Sequence, residues 1–158
     1  MEESPAYDPA SNGGVERAVR SIKEVVRTLK SDVESKTQIA LRMDWPGDRN
    51  ILAWMAEYAG TLLRRYHVQM DGMTSYAHLK GRASRRMMVP FAESILWRPL
   101  RDDGKTSNLD AKVETGFFLG LRDSSDEAII FTSSGGLTKC RDILRRPWSE
   151  RWDISELR

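Results

Sequence analysis

The chain has 158 residues, of which 40% are hydrophobic and 30% are charged, and its net charge is +2. These values are typical of one or two folded globular domains and do not require disorder, and the sequence contains no low-complexity segment. So small a net charge does not by itself indicate nucleic-acid binding. Any such function must therefore depend on where the basic residues cluster.

The reactive side chains are few. A single cysteine, Cys140, excludes an internal disulfide framework, and only two histidines accompany it, too few for a His/Cys zinc module. The amino-terminal residues lack the basic and apolar regions of a secretion signal, and no apolar run is long enough to span a bilayer. These features predict an intracellular protein, in the nucleus or the cytoplasm, without a membrane partner.

The most informative segment is residues 7–17, which reads YDPASNGGVER. It places one carboxylate, Glu16, directly behind a glycine pair, and a helical pattern of apolar residues continues from there to about Ser35. The spacing predicts an amphipathic helix that begins after Gly14. Its apolar stripe consists of Val15, Ala18, Val19, Ile22, Val25, Val26, Leu29 and Val33.

Basic residues follow Glu16 along one side of this helix, at successive steps of four, three, four and three. We call this set the basic ridge; it consists of Arg20, Lys23, Arg27 and Lys30. One interpretation is a solvated helix face with a single Glu16–Arg20 ion pair, which is the commoner arrangement in helices at large. The other is a surface that neutralises the phosphates of DNA.

Further helices are predicted downstream. A turn at residues 45–48, with Asp48 or Asn50 as the helix cap, precedes an apolar face that extends to Tyr66. That face is interpreted as packing surface rather than as an aromatic ligand site. A short third helix is predicted between Thr74 as its N-cap and Gly81 as its C-cap, with His78 on its surface.

Beyond residue 82 the periodicity becomes alternating. In this alternation one face of a strand would carry Val89, Phe91, Ile95 and Trp97. Further alternating runs follow at 115–121, 128–132 and 137–144. Turn-forming residues separate the runs at 102–104, 122–126 and 133–136. The pattern predicts an antiparallel meander that closes as a small barrel.

The division expected from these patterns is a helical part at residues 1–82, a small β-barrel-like domain at 83–146 and a tail at 147–158. The chain around the start of this tail is basic and aromatic, with Trp148 and Trp152 among cations. Such a composition can bind nucleic acid through charge and stacking, but two tryptophans are equally able to pack back on the barrel.

Three motifs, in this order, resemble the polyproteins of copia-type LTR retrotransposons. Residues 7–17 resemble the pattern Y-x-P-x-S-N-G-x-x-E-R, which carries the last acidic residue of the retroviral-type (DDE) integrase core. Residues 74–82, TSYAHLKGR, resemble T-P-Y-E-x-L-x-G-R, with Ser75 in place of the proline. Residues 108–121, NLDAKVETGFFLGL, resemble K-L-D-x-K-A-x-x-G-x-F-L-G-Y, with Asn108 and Leu121 in place of the basic residue and the aromatic.

The resemblance implies an α+β fold: the helical C-terminal part of an RNase H-like integrase core, followed by the small antiparallel β-barrel-like domain. It implies DNA integration by end processing and strand transfer in the intact polyprotein. In that enzyme Glu16 would be a catalytic residue and a ligand of Mg²⁺.

The same resemblance implies DNA contacts on either side of this glutamate. Ser11 and Asn12 would belong to a mobile loop beside the DNA, and Arg20 and Lys23 would approach the DNA end. The remaining two members of the basic ridge, Arg27 and Lys30, would extend the contact to backbone phosphates.

Only fifteen residues precede Glu16, so the first two catalytic aspartates do not occupy their family positions. The chain is therefore expected to be inactive alone, to bind nucleic acid, and to associate with DNA and with either a second copy or an integrase core. The alternative is a catalytically dead module, derived from a transposable element, that binds DNA or another protein.

Overall fold

The structure is a computed structural model that describes residues 9–42, 46–99 and 113–153. Three helices precede a five-stranded antiparallel sheet, so the α+β class is confirmed. The helices are α1 (Pro9–Thr37), α2 (Pro46–Tyr66) and α3 (Ser75–Lys80). The strands are β1 (Ser94–Trp97), β2 (Glu114–Leu121), β3 (Ala128–Thr132), β4 (Leu137–Cys140) and β5 (Ile143–Arg145), and a short 3₁₀ helix follows at Trp148–Glu150.

Helix α1 begins earlier than the sequence indicated. The backbone is helical from Pro9, so the prediction of a mobile loop at residues 11–13 is wrong. Proline favours the first helical position, because its fixed φ suits the helix and its missing N–H would be unpaired there in any case. Two glycines inside the first turns cost only about 1 kcal/mol each relative to alanine, which a helix of this length tolerates.

Helices α2 and α3 follow their predicted patterns more closely. Helix α2 also begins at a proline, ahead of the predicted caps, and its residues Met55 and Tyr58 are buried. Helix α3 has the predicted caps. The hydroxyl of Thr74 accepts a hydrogen bond from the N–H of Ala77 at 3.1 Å, and Gly81 ends the helix in the left-handed region with φ +67°.

The strand order across the sheet is β4-β3-β2-β1-β5. The predicted runs 115–121 and 128–132 correspond to β2 and β3, and the residues expected to face inward around β1 are buried. The run 137–144, by contrast, is two strands. It divides at Arg141 and Asp142, and its two halves lie at opposite edges of the sheet.

That division determines the shape of the sheet. Strands β4 and β5 form the two edges, yet only two residues connect them, a distance of at most about 11 Å. The sheet must therefore coil until its edges approach each other. No ladder joins β4 to β5 within the described ranges, so the sheet is open and the predicted closed barrel is not formed.

The hydrophobic core joins the helices to the sheet. Val33 of α1, Met55 and Tyr58 of α2 and Phe118 of β2 belong to one buried cluster. The ring of Tyr58 packs edge-on against Phe118, with centroids 5.4 Å apart, and its hydroxyl donates to the carbonyl of Val89 at 2.6 Å. Helix α2 therefore covers the sheet directly. The domain boundary expected near residue 82 stays a prediction.

The described part of the tail packs against the rest of the molecule. The carbonyl of Arg151 accepts a hydrogen bond from the N–H of Ser94 at 2.8 Å, and the ammonium of Lys36 lies 4.5 Å from the centroid of the Trp152 ring. Trp148 is 71% exposed and packs against the guanidinium of Arg151. The two tryptophans were expected either to bind nucleic acid or to pack back on the folded chain, and Trp152 packs back.

Candidate nucleic-acid interface

The amino-terminal half of α1 projects from the molecule. The helix has 29 residues and is about 43 Å long. Its carboxyl-terminal half packs into the core, where Val33 is only 4% exposed. By contrast, residues 14–20 are exposed on every face of the helix. We call residues 13–25 the α1 arm.

Glu16 and the first members of the basic ridge lie together on this arm. A shallow surface groove of about 400 Å³ lies beside them. It is bordered by Glu16, Arg20, Lys23 and Arg27, together with exposed valines of the same helix. All four charged side chains are exposed. The structure thus brings the predicted metal ligand and three of the predicted DNA contacts onto one surface.

The ion pairs of the ridge divide it into two parts. Within the described residues, no ion pair is formed by Glu16, Arg20, Lys23 or Arg27. The Glu16–Arg20 pair of the solvated-face interpretation is therefore not formed. Lys30 instead donates to the carboxylate of Glu34 at 2.6 Å. That hydrogen bond, with a second one from the backbone N–H of Leu41, lowers the pKa of Glu34. Lys30 therefore belongs to a paired helix face, and three cations are left for a ligand.

The predicted contacts Ser11 and Asn12 lie in the first turns of α1. Their side chains are outside the described part of the structure. The backbone nevertheless places them on the helix that carries Glu16, about one turn ahead of it. Any contact of theirs with DNA would come from a helical segment and not from a loop.

The groove beside Glu16 does not fit a divalent metal ion on its own. Glu16 is the single carboxylate among the described residues that border it. Magnesium in proteins is held by oxygen ligands that surround it nearly octahedrally, with carboxylates from more than one residue or from the substrate. Across the described ranges no three His, Cys, Asp or Glu side chains cluster as a metal site would require. One ligand of the predicted Mg²⁺ site is thus placed, and no complete site is formed by these residues.

The other reactive side chains have structural surroundings. His78 lies on the surface of α3, as predicted, with its Nε2 2.7 Å from the carboxylate of Asp71. Cys140 is a buried residue of β4. Burial raises the pKa of its thiol to about 11, so the thiolate needed for nucleophilic catalysis is scarce at neutral pH.

The described residues contain two buried ion pairs that the sequence patterns did not predict. Glu93, which is fully buried, accepts two hydrogen bonds of 2.6 Å from Arg145. The buried guanidinium of Arg65 pairs with Asp126 and lies 4.8 Å from the ring of Tyr76. A signal for the first existed in the sequence, because residue 93 has the inward parity of its neighbours at 91 and 95. A carboxylate at such a position requires a partner.

A second, apolar depression lies away from the arm. It has a volume of about 770 Å³ and is bordered by the end of α1, by α2 and by strands β2 to β4. Trp54, Phe117 and Leu137 are among its apolar residues, and Glu57 is its one charged side chain. Nothing in its composition resembles the basic surface on the arm, and it is not adjacent to Glu16.

None of the described helices combines the length and the apolar composition needed to cross a bilayer. A scan against protein-family models found no match to this sequence. Comparisons with curated proteins and with solved structures likewise found no significant match. The sequence motifs and the surface of the α1 arm are therefore the features that indicate a function.

Proposed function

We propose that this chain is part of a copia-type retrotransposon integrase and that its α1 arm binds the phosphate backbone of DNA. The observation that supports the proposal most is the position of three exposed cations directly after the motif glutamate, none of which has an ion-pair partner among the described residues. Arg20, Lys23 and Arg27 follow Glu16 along one face of an exposed helix. That is where the motif resemblance expects DNA contacts.

The spacing of these cations suits a DNA backbone. From Arg20 to Arg27 the helix rises about 10 Å. Each strand of B-DNA has a phosphate about every 3.4 Å along its axis, so a helix laid against the backbone meets several phosphates over that length. Contacts to phosphate fix the position of a protein without reading bases. The binding should therefore be weak, sensitive to salt and tolerant of sequence.

In the intact polyprotein, we propose, Glu16 is the last of three carboxylates that hold divalent metal, and the RNase H-like core supplies the other two. The bound metal there would stabilise the attacking and leaving oxygens during end processing and strand transfer. Among the described residues that border its groove, Glu16 stands beside cations and no second carboxylate. We therefore expect it to bind DNA but not to cut or join it in Mg²⁺.

The proposal is tested by fluorescence anisotropy with a labelled duplex. Replacing Arg20 and Lys23 together by alanine should lower the affinity roughly tenfold at low salt, because two phosphate contacts are lost. The matched control replaces Arg82 and Arg85, two exposed cations beyond α3, and should lower it less than about threefold. Equal losses from the two double variants would refute an interface on the arm.

A second candidate function is a catalytically dead interaction module that docks onto an integrase core or another protein. The exposed apolar residues Val15 and Val19 on the arm favour it. The genomic reading frame ahead of residue 1 distinguishes the two. Two aspartates at the family spacing there support the integrase, whereas their absence supports the module.

A further inference from the structure

The apolar residues along α1 follow a heptad repeat. Their steps along the chain are four, three, four, three and four, which is the spacing of the a and d positions in a coiled coil. We call this set the α1 seam; it consists of Val15, Val19, Ile22, Val26, Leu29 and Val33. The spacing averages 3.5 residues, so the seam stays on one side of the helix over its length.

The two halves of the seam have different surroundings. The second half is used within the molecule, where Val33 is buried and both Val26 and Leu29 pack against the core. The first half has no such cover from the described residues. Val15 is 66% exposed and Val19 is 44% exposed, and the flanking residues on every side are exposed as well. An apolar seam on a projecting helix is the kind of surface that a second helix covers.

The charges beside the seam specify the second helix. Glu16 and Lys23 occupy e positions, whereas the g positions on the arm are Ala18 and Val25. In a parallel pair e faces g, so neither charged residue would find an opposite charge. In an antiparallel pair e faces e, and Glu16 of one copy meets Lys23 of another. The arm is thus complementary to itself in the antiparallel orientation alone.

We propose that the α1 arms of two copies of this chain pair as a short antiparallel coiled coil. Val19 lies opposite Ile22 of the second copy. Val15 lies opposite its Val26, the residue next to the arm, which is only partly buried against its own core. The pairing has twofold symmetry, so each contact occurs twice, including the Glu16–Lys23 ion pair. The inference does not depend on DNA binding, because Arg20 and Arg27 occupy b positions outside the seam. Lys23 is shared by the two proposals, since it would contact phosphate in the single chain and Glu16 of the second copy in the pair.

The association constant is measured by sedimentation equilibrium of the full chain. Val19→Glu should lower it by about tenfold or more, because a charge then replaces an apolar side chain in two central layers. The matched control is Val68→Glu, the same change at a valine that is 58% exposed outside the seam, and it should leave association unchanged. A wild-type chain that stays monomeric up to millimolar concentration would overturn the proposal.

Charge reversal tests the orientation. Either single variant, Glu16→Lys or Lys23→Glu, places like charges opposite each other at both symmetry-related Glu16–Lys23 contacts. It should therefore weaken association by about threefold or more. The double variant restores opposite charges and should restore wild-type association. Failure of that restoration contradicts the antiparallel arrangement. Folding is checked by the melting temperature at a concentration low enough to keep the chain monomeric, where these arm substitutions should not change it because the arm lies outside the core.

Disulfide formation gives an independent readout. When Val19→Cys and Ile22→Cys chains are mixed and oxidised, the antiparallel pair predicts disulfides between the two variants in preference to disulfides within each. Predominant Val19→Cys homodimers would indicate a parallel pair and reject the proposal. Replacing Arg20 and Arg27 by alanine should lower DNA affinity without changing association, so the failure of one proposal can be told from the failure of the other.

Discussion

At the scale of single residues, Glu93 shows what the sequence pattern could and could not predict. Its inward parity was visible, because it alternates with buried residues of the same run. Its partner was not, since Arg145 lies 52 residues away and reaches it only through the pairing of β1 with β5. A pattern read along the chain reports which way a side chain faces. It does not report which distant residue meets it.

This pair supports a prediction about stability. Replacing Arg145 by alanine should lower the free energy of unfolding by about 3 kcal/mol, because a buried carboxylate then loses its main partner. The guanidinium of Arg151, 3.6 Å from Glu93, compensates only in part. Urea denaturation measures the change. Arg141→Ala is the control, since that side chain is 86% exposed, and it should cost under about 0.5 kcal/mol. Equal costs would contradict the assigned burial.

Asp126 supports a prediction about pH. Burial opposes its ionisation, but the hydrogen bond and charge of Arg65 outweigh burial and lower the pKa of the carboxyl. A pKa that is lower in the folded state stabilises the protein above the unfolded value of about 3.9, and this stabilisation is lost as pH falls through the folded pKa.

Asp126→Asn should therefore lower stability by about 0.5 to 1 kcal/mol at neutral pH, because solvent screens a side chain that is 39% exposed. The difference from the wild type should shrink below about pH 4. Asparagine is the suitable replacement, because residue 126 has φ +60°, a conformation that asparagine tolerates. Thermal unfolding measured from neutral to acidic pH gives both curves. A difference that stays constant across that range would show that the Asp126 charge does not contribute.

At the scale of elements, helices and strands with strong periodicity were predictable, and their ends were not. The caps of α3 were identified because Thr74 and Gly81 act through local hydrogen bonds and local backbone conformation. The predicted start of α1, after Gly14, differs from the observed one because the helix begins at Pro9 and continues through the glycine pair. The split of the run 137–144 was missed because the alternation continues across Arg141 and Asp142, although the chain changes from one sheet edge to the other.

Strand β2 offers a test of the sheet packing with two glycines. A methyl group at Gly116 would lie 2.4 Å from Ile130 and 3.1 Å from the carbonyl oxygen of Phe131. At Gly120 it would lie 3.6 Å from Tyr58, an ordinary contact. Gly116→Ala should thus cost about 2 to 3 kcal/mol, whereas Gly120→Ala should change stability by less than about 1 kcal/mol. Chemical denaturation compares them, and a reversed order would show that β2 packs differently.

At the scale of the whole molecule, the helices cover a coiled sheet and one helix projects beyond it. The surface of the arm could be predicted in part from the sequence, because Glu16 and the basic ridge follow the helical repeat. The exception is Lys30, whose partner Glu34 lies one turn further on. Projection of the arm could not be predicted, since it depends on where the core ends and not on the pattern of α1.

The salt dependence of DNA binding tests the proposed interface most directly. If Arg20, Lys23 and Arg27 each neutralise one phosphate, the slope of log affinity against log salt should be about −2.7, a loss of roughly fortyfold between about 50 and 200 mM salt. Replacing Arg20 and Lys23 by alanine should flatten that slope by about 1.8, and replacing Arg82 and Arg85 should change it less. A slope that the first pair leaves unchanged, or that both pairs flatten equally, would contradict DNA binding through the α1 arm.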